Sequence, residues 1–278
     1  MSSRVDVRKT YKLFLGGDFP RSESGRSYEV RDAKGGFLAN AVRASRKDVR
    51  DAVVAARKAW PAWATATAYN RGQVLYRVAE MMETRRGDLL GEVTAAEGKR
   101  GAAAQVDEAI DTFVWYAGLA DKLSQIVGGM NPVAGPYFNI SVPEPTGVVA
   151  IVAPGPSLLG VSLRVAAALC GGNAVVVLAS ETQPLPAIAL AECVATADVP
   201  KGVVSILTGL QEELVPVIAS HGDIDGFDVT GVRDELVVDA EVAAAGNVKR
   251  IVRAATRRSP YEATRFMEIK TVWHPKGT

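Results

Sequence analysis

The chain has 278 residues, 48% of them hydrophobic, enough for one large domain or two modest ones with real cores. Thirty-two basic residues against thirty-one acidic ones leave a formal charge of +1, and like charges cluster only in short pairs such as Arg85-Arg86 and Arg257-Arg258. That balance argues against nucleic acid or an anionic membrane as partner. Met1 to Tyr11 is charged throughout, and the most apolar later stretch, Val161 to Ala179, is broken by Arg164, Gly171-Gly172 and Asn173, so neither a signal peptide nor a membrane span is predicted. The two cysteines, Cys170 and Cys193, lack metal-ligand spacing and make no disulfide framework, so a reducing cytoplasm is the expected location and no metal site is expected.

In chain order, Tyr11 to Val30 reads as a short extended segment with turns at Gly16-Gly17 and Gly25. Behind a plausible cap at Ser45, the apolar residues Val49, Ala52, Val53, Ala56, Ala59, Trp60 and Trp63 recur at helical spacing and predict an amphipathic helix. Two more helices follow by the same test, one carried by Val74, Leu75, Val78, Ala79 and Met82, the other by Val106 to Ala120. Val127 to Glu144, punctuated by Gly128-Gly129, Pro132 and Gly135-Pro136, predicts a hairpin outside the main core. Then come short apolar strands, Val148 to Val152, Ala174 to Leu178, Val203 to Leu207, Ile224 to Asp228 and Val248 to Val252. The helices between them are predicted at about Leu158 to Cys170, Pro184 to Ala197, Gln211 to Ser220 and Val232 to Ala245. This alternation is the pattern of an α/β fold, a Rossmann-like parallel five-stranded sheet with helices on both faces. A last strand, Arg265 to Trp273, stands far from that sheet and needs a partner.

The order of these pieces, with Asp48-Val49 through Ala59 and Arg71-Gly72, resembles the aldehyde dehydrogenase superfamily. Pro145 to Pro154 is similar to the family's Pro-x-Gly-Val-Val strand leading to a Pro-Trp-Asn-Phe-Pro loop. Gly172-Asn173 with Ser180 to Pro184, then Pro200 to Val204 with Thr208-Gly209, then Asp223-Ile224 with Val229-Thr230-Gly231, match the next motifs over roughly residues 40 to 253. Met267 to Trp273 resembles the terminal strand with which family members complete a neighbouring subunit's hairpin sheet.

The resemblance implies a division into a nucleotide-binding part, 1–126 and 145–255, and an oligomerisation hairpin and tail, 127–144 and 256–278, with the catalytic domain absent. In the family a cysteine in that domain attacks the aldehyde, hydride passes to NAD(P), and a glutamate activates water. Residues 254–278 are too few for such a domain, and Cys170 and Cys193 fall on helices of the nucleotide-binding half. The general base position is taken by Ala254, the oxyanion-binding asparagine by Pro156, and the ribose-binding lysine by Leu178. Glu181, Gly209, Thr230 and Gly231 remain as cofactor-binding candidates, while Glu235 near a helix start would repel a diphosphate. No tightly bound cofactor is expected, and NAD(P) binding would be weak. His221 and His274 have no triad or metal partner, so no catalytic residue is assigned. The reading that follows is a non-catalytic subunit that assembles with itself or with a full-length active aldehyde dehydrogenase. The alternatives are a working NAD(P)-dependent oxidoreductase that converts an aldehyde to an acid, and a weak NAD-binding sensor.

Overall fold

A computed structural model of the protein describes residues 9–253 and 257–277. The chain opens with an antiparallel pair, β1 (Ser27–Arg31) and β2 (Phe37–Val42); the extended stretch expected from Tyr11 to Val30 takes in most of β1 and none of β2. Helix α1 (Arg46–Thr65) starts at Ser45, whose hydroxyl accepts from the Asp48 amide while the Asp48 carboxylate accepts from the Ser45 amide. This reciprocal capping box satisfies two amides that the first turn leaves free. Helices α2 (Ala68–Thr84), α3 (Arg86–Glu97) and α4 (Ala102–Leu119) follow. The helical test misses α3, because Gly87, Gly91 and its charges dilute a stripe that reduces to Leu89, Val93 and Ala96.

A short helix α5 (Leu123–Val127) leads to β3 (Gly129–Asn131) and β4 (Tyr137–Pro145), which continues one residue beyond the predicted hairpin. The five parallel strands are β5 (Val148–Val152), β6 (Ala174–Leu178), β7 (Val204–Leu207), β8 (Gly226–Asp228) and β9 (Arg250–Val252). They alternate with α6 (Leu159–Cys170), α7 (Leu185–Val194), α8 (Gln211–Ser220) and α9 (Asp234–Ala245), and the sheet order is β7-β6-β5-β8-β9.

Each strand feeds two cores because successive side chains point to opposite faces. Val149, Ile151, Val175 and Val177 join one core, with Leu75, Phe113, Tyr116 and α6 and α7 side chains. Val148, Ala150, Val152, Val176 and Leu178 join the other, with Val49, Val53, Leu214 and Ile218. Burial on both faces explains why these strands read as continuous apolar runs.

After β9 the chain turns through α10 (Pro260–Thr264) into β10 (Met267–Pro275). Here the structure corrects the expectation that the tail strand completes a neighbour's sheet. β10 pairs antiparallel with β4 of its own chain from Met267↔Pro145 to Pro275↔Tyr137, giving a sheet in the order β10-β4-β3. The cause is local: the Phe266 carbonyl accepts from the Thr146 amide at 3.1 Å and from Asn173 Nδ2 at 2.8 Å. Those bonds start β10 beside the end of β4, so the nearest free strand edge is its own. Among the described residues, no helix is long and apolar enough to cross a membrane.

Candidate functional site

In a doubly wound sheet, ligands bind beyond the carboxyl ends of the strands, where loops diverge and helix N-termini point into the crevice. Glu181 follows β6, Gly209 follows β7, and Thr230 and Gly231 follow β8, so all four cofactor candidates lie on this edge. Gln211, the first residue of α8, ties three of these loops together. Its amide donates to Glu181 Oε2 at 2.8 Å, its Nε2 to the Gly231 carbonyl at 3.0 Å, and its Oε1 accepts from the Arg233 amide at 2.9 Å. The glutamate is half-buried and one of its carboxylate oxygens caps α8.

Gly231 brings the β8–α9 loop hard against the end of β5. A Cβ there would lie 2.5 Å from the Val152 and Ala153 carbonyl oxygens. Gly231→Ala is expected to destabilise the fold by about 2–3 kcal/mol, measured as a fall in urea midpoint at unchanged slope. At Gly209 a Cβ would meet Leu214 Cδ1 at 2.7 Å, so this glycine lets the first turn of α8 close. Thr230 turns back on its own strand, its amide and hydroxyl both donating to Asp228 Oδ1.

Several residues on this edge differ from those the resemblance calls for in a dinucleotide site. Leu178, where the resemblance puts a ribose-binding lysine, is fully buried in the core beneath α1 and α8. Pro156 brings no side-chain donor to the loop after β5. The first turn of α8 carries Glu212 and Glu213, and that of α9 carries Asp234 and Glu235, charges that suit the helix dipoles but oppose a diphosphate. Arg43 pairs with Glu213, which holds that carboxyl below its usual range and fastens the N-terminal hairpin to α8. Five clefts of 380 to 870 Å³ open elsewhere on the surface, and none is lined by Glu181, Gly209, Thr230 or Gly231.

Neither cysteine has the setting of a nucleophile. Both are buried, and burial pushes the Cys170 thiol up to about 12 and that of Cys193 up to about 11. At pH 8 both are protonated, so a thiol reagent is expected to label neither in the folded protein and both after unfolding. His221 Nδ1 accepts from the Asp223 amide, and burial lowers its pKa, so it stays neutral at pH 7. Among the described residues, no group of three His, Cys, Asp or Glu side chains stands at metal-binding separation. Ala254, at the family's general-base position, lies outside the described residues.

Two features escape sequence reading. Arg164, which there only interrupts an apolar run, is buried on α6, 3.0 Å from Glu262 on α10 and 3.8 Å from Asp228 at the end of β8. An arginine inside an apolar helix and an aspartate closing a buried strand are the signals that could have paired them. The second is the outer face of the β10-β4-β3 sheet. Register puts Met130, Phe138, Ile140, Val142 and Val272 on one side, and all are between 42% and 70% exposed. The opposite side carries a polar ladder of Asn131, Asn139, Ser141 and Thr271, with Tyr137 stacked edge-on against Trp273.

Compared with known proteins, residues 19–257 match the aldehyde dehydrogenase family. The chain belongs to that family. It is 33% identical over 267 residues to cytosolic aldehyde dehydrogenase 1 of Elephantulus edwardii, covering 93% of this chain and 52% of that one. To retinal dehydrogenase 2 of Homo sapiens it is 34% identical, covering 92% and 50%. Among solved structures, betaine aldehyde dehydrogenase from Staphylococcus aureus in complex with NAD+ superposes with a TM-score of 0.81 at 26% identity, over 87% of this chain and 49% of that one. HpcC from Thermus thermophilus gives 0.82 at 30% identity, over 87% and 47%. This aldehyde dehydrogenase family chain thus spans about half the length of the relatives it matches.

Proposed function

We propose that the chain is a non-catalytic aldehyde dehydrogenase family subunit that assembles, with itself or with a full-length active aldehyde dehydrogenase, through the β10-β4-β3 sheet. The observation that carries this reading is the open apolar face of Met130, Phe138, Ile140, Val142 and Val272, built on a sheet that the chain completes alone. Apolar side chains gathered on one open sheet face mark a surface that functions covered. The non-catalytic half of the reading rests on the two buried thiols and on the short passage from β9 to β10, residues 253–266, where the resemblance calls for a catalytic domain. The test is size exclusion with light scattering, alone and mixed with an active family enzyme. Co-elution in fixed proportion or a larger homo-oligomer supports assembly, and a monomer at micromolar concentration in both runs rejects it.

A working NAD(P)-dependent oxidoreductase is the second reading, and family membership itself favours it. The buried Leu178 and the acidic first turns of α8 and α9 argue the other way. With several anchors gone at roughly 1–3 kcal/mol each, NAD+ is expected to bind with a Kd above about 1 mM by calorimetry. Micromolar binding together with NADH formation from an aldehyde would restore the oxidoreductase reading.

A further inference from the structure

Arg164, Asp228 and Glu262 are 1%, 0% and 3% exposed, so one buried guanidinium serves two buried carboxylates. Its Nη1 is 3.0 Å from Glu262 Oε2, a hydrogen bond. Its Nε is 3.8 Å from Asp228 Oδ2, beyond hydrogen-bond reach, and Nε, Nη2 and that oxygen have no partner. Asp228 Oδ1 is taken by Thr230, and Glu262 Oε1 accepts from Arg265 Nε at 3.2 Å. Orphan donors and an orphan acceptor therefore sit within a small rotation of each other. Burial holds the Asp228 carboxyl above its usual range despite Arg164 and Thr230, as fits a carboxylate short of partners.

The two carboxylates belong to different parts of the fold. Asp228 closes a core strand, whereas Glu262 lies on α10, a helix of five residues that is too short to hold itself. The position of α10 depends on its anchors, which are Glu262 on Arg164, the Tyr116 hydroxyl donating to the Ser259 carbonyl, and the Phe266 ring buried behind it. α10 runs directly into β10, so its grip on α6 adds to the Phe266 carbonyl bonds from Thr146 and Asn173 that start β10 on β4.

We propose that Asp228 and Glu262 compete for Arg164, and that this competition sets how firmly the tail strand β10 stays on β4. With the guanidinium on Glu262 the tail is clasped. When it turns to Asp228 the clasp loosens, the tail lifts, and the edge of β4 is bared to the tail of another chain. This holds whether or not the open sheet face is an assembly surface.

The competition makes opposite predictions for the two carboxylates. In the full chain, Asp228→Asn keeps an oxygen for Thr230 but removes the competing charge, so the amides of 267–275 are expected to exchange hydrogen about tenfold more slowly. Glu262→Gln is expected to speed the same amides about tenfold. The β5 and β6 amides should keep their wild-type rates in both. A fluorescent peptide of residues 257–277 gives a second reading if one variant is too unstable to follow, since it should exchange into wild type more readily than into Asp228→Asn. Both variants moving β10 in the same direction overturns the proposal. So does β10 unchanged, or moving only in step with β5 and β6, or peptide exchange that is equal in wild type and Asp228→Asn.

Discussion

Exchanging Ile140 for aspartate and Val272 for lysine is expected to weaken assembly through the sheet by more than about 100-fold while leaving the fold intact. The two residues face each other across β4 and β10, and each is exposed in the single chain, at 43% and 58%. Opposite charges directly across an antiparallel pair support the sheet, so the folded chain loses little. A partner packed on the face would instead have to desolvate two charges where it now meets two aliphatic side chains. About half of each side chain is still exposed, so covering both contributes about 1.5–3 kcal/mol together, and the cost of desolvating two charges carries the loss past the roughly 2.7 kcal/mol that 100-fold represents. Light scattering over a concentration series reads the shift, and thermal denaturation confirms that the sheet persists. Assembly of undiminished strength would move the contact to another surface.

The parallel sheet was legible because its strands are buried on both faces and its turns carry glycine or proline, so apolar runs such as Val148–Val152 stand out with no periodicity test. The cap at Ser45 was legible for a local reason, a hydroxyl followed three residues later by a carboxylate. The tail was half legible. Its strand character shows in Met267 to Trp273, but its partner depends on Asn173 and Thr146, more than ninety residues away in sequence. The same distance effect governs the crevice. Glu181 and Gly209 are visible as survivals of a motif, yet the bond that Glu181 makes to the backbone amide of Gln211 is not, since no pattern of residue types announces a main-chain donor. Arg164 was hidden because its partners lie 64 and 98 positions further along and belong to separate elements.

Replacing Arg164 with methionine is expected to destabilise the chain by about 3–5 kcal/mol at pH 8, on the order of 10 °C in Tm. Methionine fills much of the volume, so the loss comes from Asp228 and Glu262, left buried with no guanidinium. The charged and titratable neighbours that remain are Arg265, just past α10, and Tyr116 on α4, whose phenol burial pushes up to about 12 and which is therefore neutral here. Burial already raises the Asp228 carboxyl with Arg164 in place, so without the guanidinium it titrates further above its unfolded value. A group whose pKa is raised by folding contributes stability below its unfolded value and loses it as pH rises through the folded one. The penalty of Arg164→Met should therefore shrink on going from pH 8 to pH 5, where the Asp228 carboxyl takes up a proton in the folded state first. Denaturation series at the two pH values separate the origins. A loss that is equal at both would assign the effect to packing alone, whereas a loss confined to high pH assigns it to the two buried charges that one arginine now holds.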